Sequence, residues 1–273
     1  MPDGIDLDRY FERIGFAGEA RPDLASLTAL HALHVAAIPF EALDPLVGRP
    51  VSLGLDALQA KLVASRRGGY CFEQNTLFKA VLEAIGFSVT GLGGRVVWMS
   101  PPGAPLGART HMVLRVDLED GPWLADVGFG AQLLDAPLRL EVGREQATPM
   151  GCWRLQQEGD FLVLAARQDD GWRRAYAFDF APQLPADYAL ANWFTSTSPQ
   201  VPFTNTLILE RLTPEARHNL VGLRLSERRC DGTRTERVLA DAAELATALE
   251  EVFGIEPPIA AEALYARLAS TGA

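Results

Sequence analysis

Cys71 follows the turn Arg66-Arg67-Gly68-Gly69-Tyr70 and heads an apolar pattern of helical period: Phe72, Leu77, Phe78, Val81, Leu82 and Ile85, with Gly86 as the expected stop. A cysteine at a helix start meets unpaired backbone N–H groups and the positive end of the helix dipole, and both favour a thiolate. The glycines let the backbone turn sharply and keep the sulfur uncovered. Most free cysteines are buried structural residues. This one adjoins a Gly-Gly turn instead of lying mid-helix on the apolar face, so it reads as a nucleophile. A nucleophilic thiol needs a base, and the base needs an orienter. Among the four histidines, His111 sits in an apolar run from Thr110 to Val116 that reads as a strand. After the turn Glu119-Asp120-Gly121-Pro122, a second strand over Trp123 to Gly128 carries Asp126. An acid inside such a strand is costly to bury without a partner. Strands joined by a short hairpin lie side by side, so Asp126 can reach the His111 ring. Cys71, His111 and Asp126 then form a triad for acyl transfer, which by itself does not separate a hydrolase from a transferase.

The elements that must hold these residues change character along the chain. Residues 1–86 read as helical: Leu7 to Ile14 with Gly15 as a stop, a helix capped by Asp23 and ended at Pro39, a shorter helix over 55–64, and the Cys71 helix. His31 and His34 share a face of the second helix without companions at metal-ligand spacing, so they read as packing residues. From Phe87 the chain reads as short strands. Ser88 to Thr90 and Arg95 to Trp98 flank glycines that bend a sheet, 101–107 is a loop, and the two triad strands follow. Runs at Trp153 to Gln156, Phe161 to Leu164 and Trp172 to Phe180, separated by regular turns, predict a small antiparallel barrel or meander. Residues 182–205 read as a long connector bordering the site. Strands over 206–212, 220–225 and 235–239 follow, with His218 on the surface, and helices over 242–253 and 258–269 close the chain.

The segments R-R-G-G-Y-C-F-E-Q-N, T-H-M-V-L and W-L-A-D-V-G-F-G resemble the arylamine N-acetyltransferase family of bacterial type, and His34 to Asp44 and Ser198 to Asn205 agree. The likeness runs from about residue 38 to 205, with the cysteine segment the most specific. It implies an α+β fold: a helical lobe (1–86) with the nucleophile, a central antiparallel β-barrel (87–190) with the histidine and aspartate, and a C-terminal α/β lid (191–273). It also implies ping-pong transfer of an acetyl group from acetyl-CoA, through an acetyl-cysteine, to arylamines, arylhydrazines or N-hydroxyarylamines. Phe40, Phe129 and Phe203 match family positions lining the acceptor cleft, with Thr110 beside them. Gly128 would let the pantetheine arm approach, next to Phe129 and Trp98. Glu41 and Arg67 match a pair that holds the cysteine loop, while Ala42 departs from the family's frequent Asn. Amide synthases, cysteine peptidases and transglutaminase-like enzymes use the same triad order and are the alternative.

Composition sets the outer bounds. With 273 residues, 48% hydrophobic and 22% charged, the chain suits a soluble globular protein with a sizeable core. A net charge of −10 and the lack of a basic stripe argue against nucleic acid as a partner. No apolar run approaches the ~20 residues that cross a bilayer, and the acidic start, Met1 to Asp6, does not read as a signal peptide. Three cysteines fit a reducing compartment, so a cytoplasmic location is expected. The expected partners are an aromatic amine or hydrazine and acetyl-CoA, with no metal and no membrane. A homodimer is left open.

Overall fold

In the first helices, side chains serve the free N–H groups. In a computed structural model describing residues 4–101 and 103–271, Asp6 caps α1 (Leu7–Ile14) by accepting from Arg9 N at 3.1 Å. Gly15 closes that helix in the left-handed region. Met1 to Asp3 of the acidic start and Pro102 of the expected loop lie outside the described residues. Asp23 caps α2 (Leu24–Ala37), accepting from Ser26 N at 2.8 Å. A two-residue strand, β1 (Phe40–Glu41), precedes short helices α3 (Leu43–Leu46) and α4 (Leu55–Leu58). The helix expected over 55–64 widens into a π-helical segment, Gln59–Ala64. Helix α5 (Cys71–Ile85) begins where the Glu73 carboxylate accepts from Tyr70 N at 3.0 Å, and it ends at left-handed Gly86. Its apolar face, with Phe72, Phe78 and Leu82, packs into one core with Tyr10, Leu27 and Leu30.

An antiparallel sheet of eight strands follows: β2 (Ser88–Val96), β3 (His111–Leu118), β4 (Gly121–Ala125), β5 (Leu138–Arg139), β6 (Glu145–Thr148), β7 (Gly151–Glu158), β8 (Phe161–Gln168) and β9 (Gly171–Pro182). Its order is β5-β4-β3-β2-β9-β8-β7-β6, and it curls into a nearly closed barrel. A side chain spans the two edges: the Gln146 amide accepts from Arg139 N at 2.7 Å and donates to Arg139 O at 2.9 Å. The two strands expected around Gly91 to Gly94 are a single strand. The register against β9 shifts between Leu92 and Gly94, so the glycines bend it without ending it. The strand expected over 123–128 is shorter, because pairing with β3 stops at Ala125 and Asp126 stands one residue beyond.

The connector expected over 182–205 contains a helix, α6 (Pro185–Thr197). Proline is favoured at the first helical position, and the Asp187 carboxylate accepts from Leu184 N at 2.8 Å to start it. Strands β10 (Ile208–Leu212), β11 (Ala216–Val221), β12 (Arg224–Arg229) and β13 (Arg234–Val238) join β1 in a second antiparallel sheet, ordered β1-β10-β11-β12-β13. The strand expected over 220–225 is instead a hairpin turning at left-handed Gly222. His218 is half-buried on β11, with Nδ1 3.8 Å from Glu227, rather than on the surface. Helices α7 (Ala242–Thr247), with a π-helical extension to Val252, and α8 (Ala261–Thr271) supply a core around Leu245, Phe253 and Leu264. Among the described residues, no helix is long and apolar enough to cross a membrane.

Candidate active site

Cys71 is positioned by the loop before it, and close packing shapes that loop. Neither Gly68 nor Gly69 has a positive φ. The left-handed residue is Arg66, at φ 51°. A Cβ on Gly68 would collide with Pro39 O, and one on Gly69 would lie 2.8 Å from the Glu73 side chain. Beneath the loop runs a buried ionic chain. Arg67 donates to Glu41 from Nε at 2.9 Å and Nη2 at 2.6 Å, and reaches Asp44 at 3.3 Å. Lys61 Nζ bridges Asp44 at 2.6 Å and Glu73 at 2.7 Å. Burial pushes the Glu73 carboxyl up to about 7, against the pull of Lys61.

The three residues singled out by chemistry meet at the junction of α5, β3 and the end of β4. His111 Nε2 donates to Asp126 Oδ2 at 2.7 Å, and both side chains are buried. Cys71 lies beside the ring and helps to raise its pKa, and its thiol donates to Thr110 O at 3.6 Å. Burial works against a charged ring, but the Asp126 carboxylate outweighs it, and His111 is pushed up to about 10. Burial likewise opposes the Asp126 carboxylate, yet His111, Asn75 and Gly128 hold it below its ordinary range. Asp126 Oδ1 accepts from Asn75 Nδ2 and from Gly128 N, both at 2.9 Å. Asn75 Oδ1 accepts from Val127 N at 3.1 Å. On the far side, the Asp126 N–H donates to His31 Nε2 at 3.3 Å. His34 serves the same helix pair, accepting from Tyr10 Oη at 2.8 Å and donating to Gln74 Oε1 at 2.7 Å.

A cavity of about 920 Å³ opens on Cys71. Phe40, Trp98, Thr110, Gly128, Phe129 and Phe203 all border it. Phe129 stands edge-on to the His111 ring at 5.3 Å and to Trp98 at 6.1 Å, and Phe40 tilts against Phe203 at 5.8 Å. Gly128 borders the cavity, but its missing side chain serves packing: a Cβ would lie 2.7 Å from Cys71 Cα. The close approach at this glycine is therefore to the start of α5. Among the described residues, no group of three or more His, Cys, Asp or Glu is arranged to hold a metal ion.

A family model described as "N-acetyltransferase" matches residues 23–261. An arylamine N-acetyltransferase of Mycolicibacterium smegmatis is 45% identical over 255 residues, covering 92% of each chain. One from Escherichia coli K12 is 41% identical, covering 91% of this chain and 88% of its own. The chain belongs to the arylamine N-acetyltransferase family. Among solved structures, the Mycobacterium marinum arylamine N-acetyltransferase in complex with CoA superposes with a TM-score of 0.92 at 41% identity, covering 97% of this chain and 99% of that one.

In this arylamine N-acetyltransferase fold, residues that sequence reasoning passed over surround the three it chose. Asn75 lies one helical turn after Cys71, so the C-F-E-Q-N segment does contain the signal: a polar residue on the face that carries Cys71. His31 was read as packing alone, yet it contacts the Asp126 backbone. Tyr176, from β9, tilts against the His111 ring at 4.7 Å, and no local feature of its strand marks it.

Proposed function

We propose that this chain transfers an acetyl group from acetyl-CoA to an arylamine by way of an acetyl-cysteine at Cys71. The observation that carries the reading is the buried His111–Asp126 hydrogen bond beside Cys71, with Cys71 and His111 both opening on an aromatic-walled cavity. Asp126 fixes the imidazole with its proton on Nε2, which leaves Nδ1 to take the thiol proton. The thiolate attacks the thioester carbonyl carbon, and a new C–S bond forms. The bond to the CoA sulfur breaks, and His111 returns its proton to that sulfur. In the second half, the amine nitrogen attacks the acetyl-cysteine. His111 takes a proton from the nitrogen, and the Cys71 thiolate leaves. Backbone N–H groups at the start of α5 are the candidate donors to the oxyanion. Phe40, Phe129 and Phe203 suit a flat aromatic acceptor and keep water from the thioester. The nucleophile works only as a free thiol, consistent with unpaired Cys71 and with a reducing compartment such as the cytoplasm. Likeness to named arylamine N-acetyltransferases supports this reading over an amide synthase, a cysteine peptidase or a transglutaminase-like enzyme.

Incubation with acetyl-CoA alone, followed by peptide mass spectrometry, is the direct test. One acetyl group is expected on Cys71, none on a Cys71→Ser variant, and release on adding an arylamine. An unmodified Cys71 overturns the reading.

A further inference from the structure

A buried ion pair in the second sheet grips the loop that follows Asp126. Glu210 on β10 stands directly opposite Phe40 on β1, so the two side chains share a face. Arg217, on β11, lies diagonally across from Glu210 on that face and ion-pairs with it. Both side chains are buried. Together they hold a single residue of the loop: Leu133 N donates to Glu210 Oε1 at 2.9 Å, and Arg217 Nη2 donates to Leu133 O at 2.9 Å. Leu133 is fully buried and lies outside any helix or strand. Its backbone polar groups need partners, and one ion pair supplies both.

The pair is poorly built for stability alone. Glu210 Oε2 and Arg217 Nε are buried without a hydrogen-bond partner among the described residues, and orphaned polar atoms of this kind are costly. Apolar residues of similar volume often match or better a buried ion pair. What they cannot supply is an acceptor and a donor for Leu133. The place of Leu133 in the loop gives that grip a consequence. Asn75 moors the start of the loop, through Asp126 and Val127. The ion pair moors its far end. Between the two moorings lie Phe129, Gly130, Ala131 and Gln132, all of which border the cavity that opens on Cys71. Gly130 lies against Phe40: a Cβ there would collide with the ring. The space between Phe40 and Phe129 is therefore set by where the second sheet holds Leu133.

We propose that Glu210 and Arg217 are positioning residues for the acyl acceptor: by gripping Leu133 they fix the aromatic wall against which the amine docks, and so select the breadth of its ring system. This rests on the acetyl-transfer reading above. His111 and Asp126 are held separately, through Asn75 and α5. Acetylation of Cys71 by acetyl-CoA therefore does not depend on the grip, whereas discharge of the acetyl-cysteine by the amine does.

The two half-reactions, measured apart by rapid mixing, test the assignment. Glu210→Leu combined with Arg217→Met removes both charges and leaves neither orphaned. Acetylation of Cys71 by acetyl-CoA is expected to keep its wild-type rate. Discharge is expected to slow more for 4-methylaniline than for the broader 2-naphthylamine, moving the ratio of the two rate constants by roughly tenfold, the scale on which an apolar pocket distinguishes ligands of different bulk. Glu210→Gln keeps an oxygen for the Leu133 N–H and should retain most of the wild-type ratio. Arg217→Met alone, in which Glu210 can take up a proton, should move the ratio in the same direction, which keeps the test open if the double variant does not fold. An unchanged ratio in the folded variants, or both half-reactions slowed by one common factor, overturns the positioning role alone. A wild type that acetyl-CoA does not acetylate overturns the proposed function, and the positioning role falls with it.

Discussion

At the scale of single residues, the site depends on how closely the 126–129 segment approaches α5. Gly128→Ala would put a methyl 2.7 Å from Cys71 Cα. Overpacking of this kind costs about 1–3 kcal/mol, and a shift of about 1 Å at the nucleophile costs roughly 10² in rate. The variant is therefore expected to remain folded, lose stability within that range in denaturant unfolding, and acetylate Cys71 about a hundredfold more slowly in a single-turnover assay. Cys71, His111 and Asp126 were legible because residue type, turn chemistry and strand pattern point to the same chemistry. Asn75, His31 and Tyr176 were not, since each is defined by a partner more than 50 positions away, and a neutral polar residue inside an apolar pattern has no periodicity of its own. Gly128 was legible as a close approach, and its further contact with Cys71 Cα was not.

Among the elements, the ionic chain under the cysteine loop is the most exposed to mutation. Lys61 alone bridges Asp44 and Glu73, and both carboxylates are mostly shielded from water. Lys61→Met is expected to cost on the order of 3 kcal/mol, as does breaking other buried pairs from one side. Its unfolding midpoint should drop more than that of Lys79→Met, which breaks a half-exposed i,i+4 pair with Glu83. Comparable midpoints for the two variants would contradict this. Helix ends were legible from Asp23, Gly15 and Gly86, whose capping chemistry is local. The π-helical segments and α6 were not. The first depend on packing that widens a turn, and the second is hidden in a Pro- and Ser-rich stretch whose first turn favours proline.

For the molecule as a whole, buried titratable groups set opposing limits on pH. His31 and His34 are held neutral by burial, at about 4 and about 3 against an ordinary 6.5. Their contribution is present above 6.5 and is lost as pH falls through those values. His111, at about 10, contributes fully below 6.5 and loses that contribution as pH rises to 10. Glu73, raised to about 7, also contributes at the acid side and fades as pH rises through that value. Stability in guanidinium is therefore expected to peak between about pH 5 and 7 and fall on both sides. His111→Gln should flatten the alkaline limb and leave the acid limb in place. The architecture at this scale was legible in outline, as helices followed by a meander followed by mixed elements. What the chain order concealed was β1, which leaves the helical segment to pair with β10 some 170 residues later.

That two-residue strand ties distant parts of the molecule together. Phe40 forms part of the cavity wall, and Glu41 grips Arg67 under the cysteine loop. The strand pairs on one side with β10, and on the other Glu41 N donates to Gly69 O at 3.0 Å and Gly69 N to Pro39 O at 3.4 Å. The C-terminal sheet cannot tilt as a free door, because its edge strand is hydrogen-bonded to the loop that leads into Cys71. Whatever displaces that sheet pulls on the mounting of Cys71 as well.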